Sequence, residues 1–390
     1  MKYNFDKVIN RKNTDSLKCD FVKEYGFCEG TLPLWVADMD FPAPPEVTDA
    51  LVKSARHAIF GYTVAKDDYY QAVQNWFLKR FNFKSEKEWI VQTPGVVFAI
   101  SMAIRAFTKQ SDAVLIQTPV YHPFHAVVKV NKRKLVKNSL VLRGGKYEID
   151  FADFEKKIKE EKVKLFILCS PHNPVGRVWS KEELKKIGNI CLKYGVIVVS
   201  DDIHCDFVYK GFKHTVFAGL SEKFLKNSVT CTAPSKTFNL SGLQASNIFI
   251  ANDLLRKKFE EEIKKTGYEQ ANTMGLVACK AAYLYGEKWV DELNAYIEKN
   301  IDFVETFLKE NMPQIKLIRP QGTYLLWLDF RSLNLKPQQL KDLVSKKAKL
   351  WFSYGQTFGI EGKGFFRMNA ASPLSVIKEA LKRLEKAVNS

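Results

Sequence analysis

Between residues 89 and 232, short apolar segments alternate with longer amphipathic ones, and this alternation limits the fold more than any other feature of the chain. Short runs of aliphatic and β-branched residues are typical of buried strands, and apolar residues at a spacing of three or four are typical of helices. A repeat of strand and helix favours a parallel sheet covered by helices. We predict strands at 89–92, 113–117, 164–169, 196–200 and 228–232, and helices at 97–107, 153–161 and 181–192.

After about residue 282 the pattern changes. A long helix-like stretch (287–309) precedes strand-like segments at 317–319 and 324–329, a helix that ends near Lys347, the glycine-rich segment 355–364, a strand at 365–369 and a final amphipathic helix. The first forty or so residues are interrupted by prolines and favour an extended arm. The predicted fold is therefore α/β, with a large domain (46–281) built on a mainly parallel sheet. A smaller α+β domain comprises 282–390 and is joined by the arm (1–45).

The bulk properties exclude several classes of protein. No apolar run approaches the roughly 20 residues that a membrane helix needs, and the amino terminus lacks a signal-peptide core, so we expect a cytoplasmic protein. The seven cysteines are scattered without a CxxC pair, which favours reduced, structural thiols. Because the histidines do not pair with cysteines at ligand spacing, no metal site is predicted.

The net charge of +17 raises the question of nucleic-acid binding. However, the charged runs mix signs at helical spacing, as in 155–162, and the purely basic run 131–134 is short. Such runs are typical of solvated helix faces. We therefore expect a small acidic molecule as the partner, and neither nucleic acid nor a membrane.

Lys236 follows the last predicted strand and precedes a glycine-containing turn. A lysine amine condenses with an aldehyde only when it is neutral, and the end of a buried strand desolvates the amine and favours that state. On its own, one lysine in a lysine-rich chain is best interpreted as a solvated surface residue. The case for Lys236 therefore depends on the other strand ends.

Each of the other predicted strands is also followed by a residue that can bind a ligand or take part in a reaction. In order these are Gly95 at the start of a helix, Tyr121, Asn173 and Asp201. In open parallel sheets, ligands bind beyond the carboxyl ends of the strands, so the five ends are expected to meet at one site. Any one of these five residues, taken alone, is explained as an ordinary loop residue. Their coincidence at one edge of the sheet is not explained in that way.

The five segments match the needs of pyridoxal 5′-phosphate (PLP), which carries an aldehyde, a phosphate, a ring nitrogen, a phenolic oxygen and a flat face. We predict that Lys236 takes the aldehyde, that Asp201 keeps the ring nitrogen protonated, that Asn173 bonds the phenolic oxygen and that Tyr121 stacks on the ring. The phosphate is expected at the helix N-terminus. Its predicted ligands are the amides of Gly95, Val96 and Val97, with help from Ser235 or Thr232.

On these motifs the chain resembles the fold-type I PLP enzymes of the class I and II aminotransferase group. More narrowly, it resembles their cystathionine β-lyase and cystalysin branch, the cysteine-S-conjugate β-lyases. The resemblance covers nearly the whole chain. It is carried by Trp35-Val36-Ala37-Asp38-Met39-Asp40-Phe41, Gly61-Tyr62-Thr63, 170–179, 200–204, 233–239, Gly322-Thr323-Tyr324 and Phe366-Arg367-Met368-Asn369.

The resemblance implies two further roles. Arg367 matches an arginine that grips the substrate α-carboxylate, a task for which the planar guanidinium is suited. Tyr62 matches a tyrosine that reaches the cofactor phosphate of the neighbouring subunit, which implies a homodimer with shared active sites.

Two departures from the aminotransferase pattern favour elimination over transamination. Gln244 stands where that pattern has a phosphate-binding arginine, and His204, which we include among the cofactor-binding residues, stands where it has a tyrosine. In some members of the lyase branch the stacking tyrosine is followed by a second tyrosine, and His122 occupies that place here. Whether Tyr121 or Lys236 protonates the departing sulfur therefore stays open.

The function implied is α,β-elimination of L-cystathionine or a related cysteine S-conjugate to pyruvate, ammonia and a thiol, with Lys236 removing the α-proton. Two alternatives remain open: a PLP-dependent aminotransferase, and a lyase-like protein with a regulatory binding role. The preferred sulfur substrate and the direction of the pathway are not defined by the sequence.

Overall fold

A seven-stranded sheet forms the centre of the protein, and the computed structural model describes residues 2–389. The strands of the described chain are β1 (Leu32–Pro33), β2 (Ile90–Thr93), β3 (Ala113–Thr118), β4 (Lys134–Ser139), β5 (Val141–Arg143), β6 (Lys146–Glu148), β7 (Leu165–Cys169), β8 (Ile197–Asp201), β9 (Ser228–Thr232), β10 (Ser246–Phe249), β11 (Lys316–Ile318), β12 (Leu325–Asp329), β13 (Leu350–Trp351), β14 (Ser353–Tyr354) and β15 (Phe365–Asn369). The central sheet has the order β2-β10-β9-β8-β7-β3-β4.

Helices cover both faces of this sheet. The helices of the described chain are α1 (Pro45–His57), α2 (Asp67–Phe81), α3 (Val96–Phe107), α4 (His122–Val130), α5 (Phe151–Glu160), α6 (Lys181–Lys193), α7 (Glu222–Lys226), α8 (Pro234–Thr237), α9 (Asp253–Lys264), α10 (Thr273–Tyr285), α11 (Glu287–Asn311), α12 (Pro337–Asp342) and α13 (Leu374–Asn389). Strands β3, β7 and β9 are buried along their whole length. Burial on both faces explains why β3 and β7 read as near-continuous apolar runs rather than as alternating patterns.

The mostly parallel sheet predicted from the sequence is confirmed, with one antiparallel member. Strands β4, β3, β7, β8 and β9 run parallel, whereas β10 pairs antiparallel with both β9 and β2. Two reversals restore the direction, so β2 runs the same way as β9. The carboxyl ends of all five predicted strands therefore lie at the same edge, as the site prediction requires.

The sequence pattern did not predict two strands of the central sheet, β4 and β10. β4 is an edge strand in which exposed Lys134 and Lys137 interrupt the apolar pattern. β10 spans four residues and follows the turn at Gln244, whose backbone is left-handed with φ 48°. A short segment of this kind becomes a strand through its two neighbours rather than through its own pattern.

A second, antiparallel sheet follows in the chain, with the order β11-β12-β15-β14. Helices α11 and α13 pack together beside it. The fully buried Trp327 of β12 stacks on Phe365 of β15, with ring centroids 5.1 Å apart. This sheet positions Arg367, which lies in the middle of β15. The division of the chain at residues 46 and 281 remains a proposal.

The amino-terminal arm is anchored by a buried group of charges. The side chain of Lys18 is 1% exposed, and its Nζ lies 2.9 Å from Asp40 and 3.5 Å from Asp38. Arg11 pairs with the same two carboxylates at 3.0 Å and 2.7 Å. Burial acts to raise the pKa of Asp40, but the charge of Lys18 and hydrogen bonds from Lys18, Ser372 and Arg11 outweigh it and lower the pKa. The arm is thus held by ion pairs that require an ionised Asp40.

The structure also bears on membrane-spanning helices and on the cysteines. Across residues 2–389 no helix is long and apolar enough to cross a membrane. All seven cysteines are free thiols, and five of them are buried. This agrees with the predicted structural role of the cysteines.

We predict that Lys18→Met lowers the free energy of unfolding by about 3 kcal/mol, because removing one member of a buried ion pair leaves a carboxylate undercompensated. Urea unfolding followed by circular dichroism measures this. Lys12→Met, which removes an exposed lysine of the same arm, serves as the control and should change stability by less than about 0.5 kcal/mol. Equal losses in the two variants would contradict the anchoring role of Lys18.

Candidate active site

A cavity of about 330 Å³ opens at the carboxyl edge of the central sheet, where the five strand ends meet. Residues from the loops after β2, β3, β7, β8 and β9 form its wall. Of the twelve predicted site residues, nine line this cavity: Gly95, Val96, Val97, Tyr121, Asn173, Asp201, His204, Ser235 and Lys236. The other three are Arg367, Thr232 and Tyr62.

Lys236 lies in the short helix α8, directly after β9. Its Nζ donates a hydrogen bond of 2.7 Å to the carbonyl oxygen of Ala37 and lies 3.5 Å from the hydroxyl of Ser241. Burial lowers the pKa of Lys236 to about 8; Asp38 and Asp201 act in the opposite direction, and Arg367 reinforces the fall. A substantial fraction of this amine is therefore neutral near neutral pH, which makes it nucleophilic and basic.

Asp201 is the last residue of β8 and is 4% exposed. One carboxylate oxygen accepts a hydrogen bond of 3.1 Å from the backbone N–H of Ile203. Burial raises the pKa of Asp201 to about 7, against the lowering effect of that hydrogen bond, and the neighbouring Asp202 raises it further. A cation placed next to Asp201 in the cavity would strongly stabilise its ionised carboxylate, because the site is buried.

The N-terminus of α3 points its free amides at the cavity. Gly95 caps the helix, and its carbonyl oxygen accepts from the N–H of Ala99, which leaves the N–H groups of Val96 and Val97 without a helical acceptor. These donors and the positive end of the helix dipole favour an anion. The backbone of Gly95 is extended (φ 172°), and a Cβ there would meet no protein atom within 4 Å.

Arg367 lies behind Asn173 rather than in the cavity wall. Its Nη1 donates to Oδ1 of Asn173 at 3.0 Å, and its Nη2 donates to the carbonyl oxygen of Trp35 at 2.7 Å and to the hydroxyl of Ser353 at 3.2 Å. Burial lowers the pKa of Arg367 to about 10, so the guanidinium stays charged at neutral pH. Within the described chain, its buried Nε has no hydrogen-bond partner. The arginine is thus held in place and keeps a free donor.

Tyr121 and His204 are both uncharged in this setting. Tyr121 caps α4, and its backbone N–H donates to the carbonyl oxygen of Asn173 at 3.0 Å. Burial raises the pKa of the Tyr121 phenol, so the hydroxyl keeps its proton. Burial lowers the pKa of His204 to about 3, and its ring packs edge-on against Tyr324 at 5.6 Å. Both side chains therefore act as neutral polar groups.

Two predicted residues lie outside the cavity. The hydroxyl of Thr232 donates to the carbonyl oxygen of Asn247 at 2.7 Å, because the side chain points toward the neighbouring strand β10. The structure therefore does not bring Thr232 to the predicted phosphate site, and Ser235 is the member of that pair which lines it. Tyr62 is 95% exposed in a segment without regular structure. Its predicted contact with a neighbouring subunit remains a prediction.

The structure adds a segment whose role the sequence did not reveal. The carbonyl oxygen of Ala37, which holds Lys236, also accepts a hydrogen bond of 3.0 Å from the buried hydroxyl of Tyr324. Asn239 bonds the backbone of Met39 and Phe41, and Asn369 bonds the carbonyl oxygens of Val36 and Asp38. Both asparagines stand within three residues of a predicted site residue, Lys236 or Arg367, and this proximity is the sequence signal that could have identified them.

The arrangement can hold a ligand that carries both an electrophilic carbon and an anionic group. Lys236 offers a partly neutral amine, Asp201 offers a buried carboxylate, and the start of α3 offers amide donors. In the described part of the chain, no group of three or more histidine, cysteine or acidic side chains is arranged to hold a metal ion. The side chains and amides of the cavity offer an amine, a carboxylate and hydrogen-bond donors.

Comparison with known proteins places this site in a family. The chain is 45% identical over 386 residues to cystathionine beta-lyase PatB of Bacillus subtilis, covering 99% of this chain and 100% of that protein. The structure of cystalysin from Treponema denticola, which contains a PLP cofactor, superposes with a TM-score of 0.96 at 41% identity over 100% of this chain and 99% of that one. The PLP-bound C-S lyase from Staphylococcus hominis superposes with a TM-score of 0.94 at 33% identity over the same shares.

A family model described as aminotransferase class I and II matches residues 29–384, a range that contains all twelve of the predicted site residues. The match extends from the arm that holds Lys236 to the final helix. On this evidence the chain belongs to the class I and II aminotransferase family.

Proposed function

We propose that this protein is a PLP-dependent carbon–sulfur β-lyase that converts L-cystathionine or a related cysteine S-conjugate to pyruvate, ammonia and a thiol. The observation that carries the proposal is the buried Lys236 amine, with a pKa of about 8, in one cavity with Asp201 and the free amides of α3. Relatives named cystathionine beta-lyase and C-S lyase support the same reaction. Gln244, which lines the cavity, is uncharged and stands where the aminotransferase pattern has a phosphate-binding arginine. This difference supports elimination over transamination.

The side chains of the cavity fit PLP. The space beside Gly95 and the amides of Val96 and Val97 suit its phosphate, with the Ser235 hydroxyl alongside. Asp201 can pair with the protonated ring nitrogen, which would stabilise the ionised carboxylate in this buried position. When bound, PLP supplies an aldehyde for the substrate amine and a ring that withdraws electrons from Cα.

Arg367 orients the substrate through its α-carboxylate. The guanidinium is fixed by the carbonyl oxygen of Trp35 and the Oδ1 of Asn173, and its Nε is unpartnered in the described structure. A carboxylate beside it receives charge-assisted hydrogen bonds in a buried setting, where they are strong. This fixes the orientation of Cα relative to the base.

Lys236 serves as that base. Burial keeps part of its amine neutral, and the Ala37 carbonyl oxygen together with the Ser241 hydroxyl holds Nζ in place. Nζ can take the α-proton and return a proton later. Tyr121, which stays protonated in this cavity, and Lys236 are the two candidates to protonate the departing sulfur.

We predict that Lys236→Ala abolishes release of pyruvate and ammonia from L-cystathionine, a loss of at least about 10³-fold, because the variant lacks the general base. Lys223→Ala, a change at an exposed lysine, should keep full activity. Ammonia is measured beside pyruvate because transamination needs a keto-acid acceptor and frees no ammonia. Full activity in Lys236→Ala, or product formation without ammonia, would refute the assignment.

The rate at which cofactor-free protein captures PLP should depend on pH. Because burial lowers the pKa of Lys236 to about 8, its neutral fraction grows between about pH 7 and about pH 9 and then saturates. Stopped-flow absorbance should therefore show a capture rate that rises over this interval and levels off above it. An ordinary lysine would give a rate that keeps rising to about pH 10, and that result would contradict the lowered pKa.

We further propose a homodimer with shared active sites in the cytoplasm. The segment around Tyr62 exposes four large apolar or aromatic side chains in sequence: Ile59, Phe60, Tyr62 and Val64 are 72%, 62%, 95% and 73% exposed. A run of this kind is typical of a surface that another protein covers.

Mixed dimers test the sharing of sites. Lys236→Ala and Tyr62→Ala are each expected to be impaired, but a dimer of one copy of each contains one site with both native residues. Mixing equal amounts after reversible dissociation should restore activity to about a quarter of wild type by random pairing. Mixing Lys236→Ala with Asp201→Ala, two changes in the same subunit's site, is the control and should restore none. Failure of the first mixture to recover would contradict sharing.

A further inference from the structure

A second cavity, of about 250 Å³, lies beside Arg367. Its walls are mostly aromatic, and we call it the aromatic cavity; it is lined chiefly by Phe27, Trp35, Trp351, Tyr354, Phe358 and Phe366. The cavity that contains Lys236 is called the cofactor cavity. None of the residues that line it is among those that line the aromatic cavity. The structure thus places two distinct spaces near one arginine.

Arg367 contacts residues that line each of the two cavities. On one side its guanidinium bonds Asn173, which lines the cofactor cavity. On the other side it bonds Trp35 and Ser353, and it lies 4.9 Å from the ring centroid of Phe358; all three line the aromatic cavity. The arginine that is proposed to hold the substrate carboxylate is therefore in contact with residues of both cavities.

A second point of contact lies at the start of α4. Tyr121 lines the cofactor cavity, and the next residue, His122, lines the aromatic cavity. Their rings are 5.3 Å apart, and the His122 ring is 6.3 Å from that of Phe358. The two spaces therefore also adjoin at this pair of residues.

The walls of the aromatic cavity are fixed by ring stacking. The indoles of Trp35 and Trp351 stack with centroids 4.4 Å apart and an interplanar angle of 7°. Phe27 stacks on Trp351 at 4.4 Å and 26°. Such packing holds the wall in shape before any ligand arrives, which reduces the entropy lost on binding.

The charges around the aromatic cavity favour an apolar occupant. Its described lining includes no carboxylate, and its only lysine or arginine is Lys341, which is exposed. Burial lowers the pKa of His122, so this imidazole is neutral at neutral pH. An ammonium group placed in the cavity would lose its hydration without gaining an anionic partner.

We propose that the aromatic cavity binds the S-substituent of the substrate and selects cysteine S-conjugates with an apolar, aromatic group on sulfur. The proposal rests on the function proposed above. Size supports it, because a dry apolar cavity of about 150 Å³ is enough to bind benzene. Trp351 is then a specificity-determining residue, since it forms the centre of the stacked wall.

The test compares S-benzyl-L-cysteine with S-methyl-L-cysteine as substrates of the holoenzyme, scored by pyruvate release. We expect kcat/KM for the benzyl conjugate to exceed that for the methyl conjugate by about tenfold or more, because a ring adds much more apolar contact than a methylene. Trp351→Ala should remove most of this preference, mainly by raising KM for the benzyl conjugate. The methyl conjugate should change less than about threefold.

Two further variants keep the test decisive. Trp351→Leu retains an apolar side chain, so it should fold even if Trp351→Ala does not. It should lose part of the preference for the benzyl conjugate. Tyr25→Ala removes a ring that packs on the outside of Trp35 and Trp351 without lining the cavity, so the preference should persist.

The outcomes separate this proposal from the proposed function. Pyruvate from both conjugates without a preference, or equal losses for both in the Trp351 variants, would overturn the aromatic cavity as the subsite while leaving the lyase intact. No pyruvate from either conjugate or from cystathionine would instead overturn the lyase. A preference that survives in both Trp351 variants would also overturn the subsite.

Discussion

The carbonyl oxygen of Ala37 joins three separate parts of the protein. It accepts hydrogen bonds from Nζ of Lys236 at the end of the central sheet and from the hydroxyl of Tyr324 beside the second sheet. Ala37 itself belongs to the amino-terminal arm. Because a buried carbonyl oxygen has two lone pairs to satisfy, this single acceptor fixes the position of the reactive amine relative to both sheets.

The arm is therefore part of the site and not merely an attachment to it. Asn239 and Asn369 bond the backbone on both sides of Ala37, and the Lys18–Asp40 ion pair anchors the same segment from the arm itself. These bonds are buried or partly buried, where they are stronger than at the surface. A change at Lys18 is consequently transmitted to the segment that holds Lys236, although Lys18 does not line the cofactor cavity.

Burial acts on all the ionisable groups of the site in the same sense. It moves the pKa of Lys236 to about 8, of Arg367 to about 10, of Asp201 to about 7 and of His204 to about 3. Each shift favours the uncharged form, as desolvation requires. Only the arginine stays fully charged near neutral pH, while the lysine becomes a usable base. One physical effect thus leaves a charged anchor for a carboxylate and increases the neutral fraction of the Lys236 amine.

The sequence by itself determined the strand-and-helix alternation, the shared edge of five strand ends and most of the cavity wall. The reason is that buried strands demand apolar runs, and the residues directly after each run lie at the edge where a ligand binds. It left Ser235 and Thr232 as alternatives for the phosphate; in the structure Ser235 lines the cavity, whereas the hydroxyl of Thr232 bonds the backbone of β10, a strand that the sequence pattern did not predict. The hydrogen bonds that hold the arm around Ala37, the pKa values and the aromatic cavity beside Arg367 were decided by the tertiary structure alone. They depend on burial and on contacts such as those of Ala37 with Lys236 and Tyr324, which are about two hundred or more positions away, and no local pattern records such contacts.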